Sequence, residues 1–348
     1  MKNALNTTLP PALPATATMP ERIKVWGQWA RIHAARLGRQ LEGKPGDDEG
    51  NGVSAPPPTS RDIGRLIRLT HLHRTLEQIA KMDPEMWIMH SELDRTVFDP
   101  VWVAGYAENT LFKNIPKVIL MSATFRPKTA ELIGLDAADV DYYEARSGFD
   151  RTRRPVYVCT NAARVDHRMD DAGFNKWRAM IDNILDARSD RKGIIHTVSY
   201  KRRNQIVQSS RHRDRMLSHD RENTRAVIEQ FKAAPPGTIL VSPSVTTGYD
   251  FPYDECRFQI ISKIPFPDSR DPILQARAAE DRDYAAYLMM QELVQAVGRG
   301  MRAPDDFCET FITDAHGVWV LSKYRDLAPK WFHEAVTRID VLPPPLDL

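Results

Sequence analysis

The sequence contains only three cysteines, and they lie far apart along the chain. They are Cys159, Cys256 and Cys308, and no two of them form a Cys-x-x-Cys pair. This spacing argues against a disulfide framework, a structural zinc site and an iron–sulfur cluster within these residues. We therefore predict no metal-binding residues in this sequence.

Long apolar runs and a strong net charge are also missing. No stretch approaches the roughly 18 apolar residues of a membrane-spanning helix, and no signal-peptide core is present. We therefore expect a cytoplasmic protein that contacts no membrane. The 48 Lys and Arg residues nearly balance the 46 Asp and Glu residues, which leaves a net charge of +2. Any surface that binds nucleic acid must then be local.

A phosphate-binding loop of the form G-x-x-x-x-G-K-[ST] is absent. The nearest match, residues 38–45, reads GRQLEGKP and has Pro45 where a Ser or Thr hydroxyl would reach Mg²⁺. Residues 25–37 before it have a helical pattern, so no strand leads into this loop. The Asp-Glu pairs at 48–49 and 254–255 also follow no predicted strand. The sequence therefore lacks the parts that hold the β- and γ-phosphates and their metal ion.

The most informative segment that is present lies at residues 293–302, which read LVQAVGRGMR. It closes a predicted helix over 284–297 and has the pattern Gln-x-x-Gly-Arg-x-x-Arg. The spacing i, i+4, i+7 predicts that Gln295, Arg299 and Arg302 lie near one helical face. Arginine presents a fixed, always charged fork that suits phosphate oxygens. A solvated basic helix end would have the same residues, because cations also complement the helix dipole there.

Three further segments each read as a strand that ends in small polar residues. Residues 117–125 read KVILMSATF, residues 193–200 read GIIHTVSY, and residues 238–252 read TILVSPSVTTGYDFP. Open parallel sheets place their ligands at the carboxyl ends of their strands. Together with LVQAVGRGMR, these segments resemble motifs III, IV, V and VI of superfamily 2 helicases, most closely the XPD/DinG type. The resemblance extends over roughly residues 99–316, and the four motifs agree in order and spacing.

The resemblance implies a role for individual residues on the nucleotide side. Gln295, Arg299 and Arg302 would be catalytic, with the two arginines acting as arginine fingers on the γ-phosphate. The implied cofactors are ATP and Mg²⁺, shared with a first half that this sequence does not contain. Thr247 stands where the family commonly has a Glu, so the role of that Glu is not carried over. The implied nucleotide-binding residues are Gly248, Asp250 and Gly298.

Strand-contacting residues are expected among the polar groups at the strand ends. Hydroxyls and backbone amides there bind phosphates without reading sequence, although the same residues are common in turns. The basic cluster at 201–203 suits a groove that tracks phosphates, but a run of charges is also typical of a solvated face. The predicted nucleic-acid-binding residues are Thr124, Ser199, Tyr200, Lys201, Arg202, Arg203, Thr246 and Thr247.

Composition and periodicity divide the chain into five predicted parts. From residue 157 onward, strand and helix signals alternate, which indicates a parallel sheet with helices on both faces. The predicted class is α/β, with a RecA-like sheet and an N-terminal helical segment. Named as the resemblance to helicases implies, the parts are a disordered tail at 1–20, a helical arch-like remnant at 21–84 with a linker at 43–60, the end of a first RecA-like domain at 85–144, a second RecA-like domain at 145–330, and a C-terminal tail at 331–348.

The sequence therefore predicts the C-terminal motor portion of an ATP-dependent DNA helicase. It would supply the arginine fingers and part of the track for single-stranded nucleic acid, with a 5′-to-3′ direction implied by the resemblance alone. Its expected partner is an upstream half with motifs I and II, without which it would hydrolyse no ATP. One alternative is a non-catalytic nucleic-acid-binding or docking module that has lost ATP turnover. Another is a truncated product with no independent role.

Overall fold

The computed structural model describes residues 9–10, 13–42, 59–91, 95–245 and 248–347. These residues fall into two compact units, Met1–Val103 with Asp271–Arg277, and Ala104–Arg270 with Ala278–Leu348. Most of the predicted linker and the first residues of the predicted tail lie outside the described residues. No helix within the described part of the chain is both long enough and apolar enough to span a membrane.

Two long helices and a hairpin form the first unit. Helix α1 comprises Met19–Glu42 and helix α2 comprises Ser60–Ala80. Strands β1 (Trp87–Ser91) and β2 (Thr96–Pro100) pair in antiparallel register. Pro100 ends the second strand, as expected for a residue without a backbone N–H.

Helix α2 packs against α1 mainly through its C-terminal half. It begins at a capping box, in which the Thr59 hydroxyl accepts from Asp62 N and the Asp62 carboxylate accepts from Thr59 N. Leu76 and Ile79 are buried in a small core with α1. Three large apolar side chains of the N-terminal half are exposed: Ile63, Leu66 and Ile67.

The second unit is built on a seven-stranded parallel sheet. Its strands are β3 (Val156–Cys159), β4 (Gly193–His196), β5 (Met216–Ser218), β6 (Ile239–Ser242), β7 (Phe258–Ile261), β8 (Glu309–Ile312) and β9 (Val336–Ile339). Their order across the sheet is β5-β6-β4-β7-β8-β3-β9, and every neighbouring pair is parallel. The parallel sheet expected from the alternation of strand and helix signals is therefore present.

Helices connect these strands. The helices after β2 are α3 (Ala104–Ala107), which continues into a π-helical turn (Glu108–Phe112), α4 (Pro127–Leu132), α5 (Asp171–Ala187), α6 (Tyr200–Ser209), α7 (Thr224–Ala233), α8 (Pro272–Glu280), α9 (Tyr284–Val297), α10 (His316–Lys323) and α11 (Lys330–Ala335). Short 3₁₀ turns occur at Ala137–Asp139, Arg151–Arg153, Arg213–Arg215, Tyr253–Glu255 and Arg325–Leu327.

Successive strand side chains alternate between the two faces of the sheet, and the buried apolar residues form three clusters around it. Val156 and Val158 of β3 lie in a core with α9, α10 and α11, whereas Tyr157 packs against the opposite core. That opposite core contains Trp177 of α5 and Ile206 of α6. Helices therefore cover both faces, which is why the central strands are almost entirely apolar.

The two edge strands differ from the sequence prediction. Strand β9 lies within residues 331–348, the predicted C-terminal tail, and it pairs in parallel with β3. Strand β5 has only three residues, Met216–Ser218. Short edge strands bury few side chains, so their apolar pattern is weak.

The strand predicted at residues 118–122 does not form, so that prediction was wrong. The segment has no regular secondary structure, and Ile119 and Met121 are 86% and 89% exposed. A strand needs a neighbour to satisfy its backbone groups, and none of the strands that the structure describes pairs with these residues. The apolar side chains of this segment are therefore not packed in a hydrophobic core.

Candidate functional site

The carboxyl edge of the parallel sheet collects most of the residues predicted from sequence. Strand β4 ends at His196 and is followed by Ser199, whereas β6 ends at Ser242 and leads toward Gly248 and Asp250. Parallel strands all end at the same edge, so residues distant in sequence become neighbours there. The candidate site is built from these strand ends and from the C-terminus of α9.

The two arginines lie in a loop and not on the predicted helical face. Helix α9 ends at Val297, and residues 298–302, which we call the arginine loop, follow it. A side-chain nitrogen of Arg299 is 3.6 Å from Asp250 Oδ1, and Arg302 forms an ion pair with the same oxygen. The loop therefore brings both arginines together, although the expected common helix face does not exist.

Asp250 forms ion pairs with both arginines. Its side chain is 62% exposed, whereas that of Arg299 is 12% exposed. Burial lowers the pKa of Arg299, and the neighbouring Arg302 lowers that pKa further, while Asp250 raises it. Arg299 also donates to the Tyr249 carbonyl at 3.0 Å. Two guanidinium groups converging on one carboxylate form an arrangement that suits a phosphate as well.

The arginine loop packs closely against Cys308 at Gly300. A Cβ atom there would lie 2.2 Å from Cys308 Sγ, so no side chain fits without displacement. At Gly298, one of the nucleotide-binding residues implied by the resemblance, a Cβ atom would meet only carbonyl oxygens at 3.5 and 3.7 Å. The Arg302 amide donates to buried Asp306 at 3.3 Å and fixes the end of the loop.

Gly248 adopts a backbone conformation that favours glycine. Its φ is +83°, in the left-handed region, although a Cβ atom there would meet no neighbour within 4 Å. Glycine is therefore required by the backbone conformation and not by space. The adjacent Thr246 and Thr247, predicted to contact nucleic acid, lie outside the described residues.

Thr124 is buried and bonded to Gln295. The Gln295 amide donates to the Thr124 hydroxyl at 2.9 Å, which joins the third predicted motif to the sixth. The Trp331 indole donates to the Ala123 carbonyl at 3.1 Å and holds the neighbouring backbone. The structure therefore places Thr124 beside the predicted catalytic glutamine.

The end of β4 forms a strained turn. Val198 has a φ of +63°, which is costly for a β-branched residue. The turn allows the Ser199 hydroxyl to cap α6 by accepting from the Arg202 amide at 3.3 Å. Tyr200 is the first residue of α6, and its ring lies 4.9 Å from the Arg203 guanidinium.

The basic cluster at 201–203 is not a continuous cationic face. Arg202 is 9% exposed, donates to the Asp166 carbonyl at 2.5 Å and lies over the Trp177 ring. Arg203 is 8% exposed and pairs with Asp220 at 2.9 Å. Lys201 is exposed. Of the three cations, Lys201 is therefore the one whose side chain is open to solvent.

A buried polar chain behind the site was not anticipated from sequence. His196 Nε2 lies 3.0 Å from Gln259 Oε1, and the Gln259 amide nitrogen donates to the Val297 carbonyl at 3.1 Å. Burial lowers the pKa of His196 to about 4, and the charge of Arg299 contributes. The available signal was a single polar residue within each of two apolar strands, GIIH and FQII.

Comparison with known proteins finds a match to a helicase domain in part of the chain. Residues 181–335 match the family model described as the helicase C-terminal domain. No curated protein matches the chain. A structure of an XPD helicase matches with a TM-score of 0.54 and 14% identity, covering 91% of this chain and 64% of the other.

Two further XPD structures give the same result. An XPD structure in the apo form matches with a TM-score of 0.54 and 16% identity, covering 91% of this chain and 72% of that one. The S. tokodaii protein Xpd4 matches with a TM-score of 0.50 and 14% identity, covering 92% of this chain and 69% of that one. The chain thus spans about two thirds of the length of these structures. The predicted resemblance is confirmed in two respects: residues 181–335 match the helicase C-terminal domain model, and the RecA-like fold is similar to that of the XPD helicase structures.

Proposed function

We propose that the chain is the C-terminal half of an ATP-dependent, cytoplasmic helicase motor that moves along single-stranded DNA. The observation that carries this proposal is the convergence of Arg299 and Arg302 on Asp250. It occurs at the carboxyl edge of the parallel sheet, where folds of this kind bind their ligands.

The residues of the arginine loop fit a nucleotide phosphate. A carboxylate already lies between the two guanidinium groups, so this position is suited to an anion. We assign Arg299 and Arg302 to the γ-phosphate of ATP, and Gln295 to positioning beside them. Nucleotide hydrolysis would supply the free energy for movement along the strand. Arginines held in this way stabilise the charge that develops on a transferring phosphoryl group.

The upstream half would supply the phosphate-binding loop and the ligands of Mg²⁺. Asp254 and Glu255 lie in a 3₁₀ turn after Pro252 and not at the end of a strand, so they do not resemble a metal-binding pair. The exposed segment at 117–121 is the place where a strand of that half would pair.

On the strand side, we assign Ser199, Tyr200 and Lys201 to the phosphates of the polynucleotide. They surround the N-terminus of α6, where backbone N–H groups favour anions. Arg202 and Arg203 hold this region in place by donating hydrogen bonds to the backbone carbonyls of Asp166 and His219. The assignment to DNA and to a 5′-to-3′ direction rests on the similarity to XPD helicases.

A non-catalytic nucleic-acid-binding module is the second candidate. It is favoured by one observation, the absence of a phosphate-binding loop from the sequence. The two candidates make different predictions for ATP turnover when an upstream helicase half is present.

The test is steady-state ATP hydrolysis by the chain alone and by the chain co-purified with an upstream helicase half. We expect no turnover by the chain alone, and strand-stimulated turnover by the complex. Arg302→Ala should reduce turnover by about 10²-fold and leave strand affinity within a few-fold. Arg338→Ala, on the edge strand β9, is the matched control and should behave as wild type. Strand binding without turnover in the complex would favour the module instead.

A further inference from the structure

Three buried groups form a continuous hydrogen-bonded chain across the sheet. His196 ends β4, Gln259 lies in β7, and the Val297 carbonyl ends α9. The His196–Gln259 and Gln259–Val297 distances are 3.0 and 3.1 Å. Both side chains are almost completely buried, so the chain is isolated from solvent.

The direction of these hydrogen bonds follows from the chemistry of the glutamine amide. The Val297 carbonyl can only accept, so the NH₂ group of Gln259 faces it and the Gln259 oxygen faces His196. That oxygen can only accept, so His196 carries its proton on Nε2. The chain therefore has one arrangement of donors and acceptors, and a uniquely ordered contact rigidifies its surroundings.

The chain joins two functional regions of the site. At one end, His196 precedes the strained turn at Val198 that places Ser199 at the start of α6. At the other end, Val297 is the last residue of α9 before the arginine loop. Gln259 also lies directly under that loop, because a Cβ atom on Gly300 would be 3.2 Å from its amide nitrogen.

We propose that Gln259 and His196 are positioning residues that hold the arginine loop in register with the strand-contacting turn. Binding of a polynucleotide at the turn then changes the arginine loop through this pair. This inference rests on the proposed function in one respect, the assignment of the turn to a polynucleotide.

A double variant separates positioning from a purely structural role. His196→Leu with Gln259→Met replaces both partners by apolar side chains of similar size, so neither side chain is left unpaired. The Val297 carbonyl loses its donor, and the arginine loop loses its tether. Gln259→Met alone is the second variant, which keeps His196 and serves if the double variant folds poorly.

Hydrogen exchange of the backbone amides at 298–302 provides the readout in the full chain. We expect exchange about five- to tenfold faster in either variant than in wild type, as the loss of one neutral hydrogen bond implies. Ser210→Ala is the matched control, because it removes a buried hydroxyl bonded to Asp182, away from the loop. Unchanged exchange in both variants, or an equal change in the control, would overturn the proposal.

A second measurement tests transmission and separates the two proposals. Saturating oligothymidylate should alter exchange at 298–302 in wild type, and this response should disappear in the double variant while fluorescence anisotropy still reports binding. A response retained in the double variant would refute transmission. If wild type does not bind the oligonucleotide, the assignment of the turn to a polynucleotide is wrong. The difference in hydrogen exchange between wild type and the variants without oligonucleotide still tests the positioning role.

Discussion

The side-chain amide of Gln295 donates a hydrogen bond of 2.9 Å to the hydroxyl of Thr124, across 171 residues of sequence. Thr124 is buried, so its hydroxyl is engaged within the protein. The contact ties the segment after the exposed 117–121 stretch to the helix that leads into the arginine loop. Thr124 therefore orients Gln295, which the sequence alone did not indicate.

The Thr124–Gln295 contact should be measurable in stability. Thr124→Val keeps the shape and removes the hydroxyl, so we expect the free energy of unfolding to fall by about 1 kcal/mol. Thr124→Ser keeps the hydroxyl and should bind Gln295 as wild type does. Chemical denaturation of Thr124→Val, Gln295→Ala and the double variant gives the coupling energy. Strictly additive losses would contradict the contact.

Lys201 and Arg203 should differ in what they affect. Lys201→Ala should weaken binding of single strands and reduce the salt slope by about one unit, because it removes one exposed phosphate contact. Arg203→Ala should instead destabilise the fold, because it removes the buried hydrogen bond to the His219 carbonyl and the packing on Tyr200. A fluorescence-anisotropy salt titration and thermal unfolding of both variants measure the two effects. Equal salt slopes in wild type and Lys201→Ala would identify Lys201 as a solvated residue only.

Stability should depend on pH through His196. Burial lowers its folded-state pKa to about 4, whereas an unfolded histidine titrates near 6.5. The unfolded chain therefore binds the proton more tightly, so this contribution is complete above about pH 6.5 and is lost as the pH falls toward 4. We expect a loss of roughly 3 kcal/mol at most across that window.

Denaturation curves of wild type and of the His196→Leu, Gln259→Met double variant isolate this term. His333, whose pKa is also lowered by burial, is common to both proteins and cancels in the comparison. The difference in the free energy of unfolding between the two should change with pH between 6.5 and 4. A constant difference would show that His196 is not held neutral by burial.

The exposed segment at 117–121 should drive self-association of the isolated chain. Ile119→Lys with Met121→Lys places charges on the two most exposed apolar side chains of the segment and should shift the chain toward monomer. Light scattering at micromolar concentration measures the change. Val341→Lys is the control, because it places a charge on an exposed valine outside this segment. A wild-type chain that is already a clean monomer would contradict the expected association.

The sequence predicted the elements whose pattern is set locally and missed those set by neighbours. Helix α9 was predicted with the bounds Tyr284–Val297, because its apolar periodicity is strong. The strand at 118–122 failed because a strand also requires a partner. Arg202 lies over the Trp177 ring and Arg203 donates to the carbonyl of buried His219, so no local pattern could reveal the burial of either arginine.

The candidate site likewise combines features that the sequence predicted with features that depend on the three-dimensional structure. The resemblance to helicase motifs selected Asp250 and the two arginines, and the structure brings them together. The shared carboxylate and the departure of Arg302 from the helix depend on the path of the arginine loop, which residue spacing does not encode. The role of Gln259 could not be predicted from the sequence, because a single polar residue in a buried strand can serve many structural roles.

The packing of Gly300 on Cys308 limits how this chain can change during evolution. A Cβ atom at position 300 would lie 2.2 Å from the Cys308 sulfur and 2.9 Å from its Cβ atom. Only a glycine at position 308 would remove both contacts. A side chain at position 300 therefore requires a compensating substitution at position 308. A lone Gly300→Ala would displace the loop and carry both guanidinium groups away from Asp250. Gly300 and Cys308, which take no part in the ion pairs with Asp250, therefore restrict the sequence of the arginine loop through packing alone.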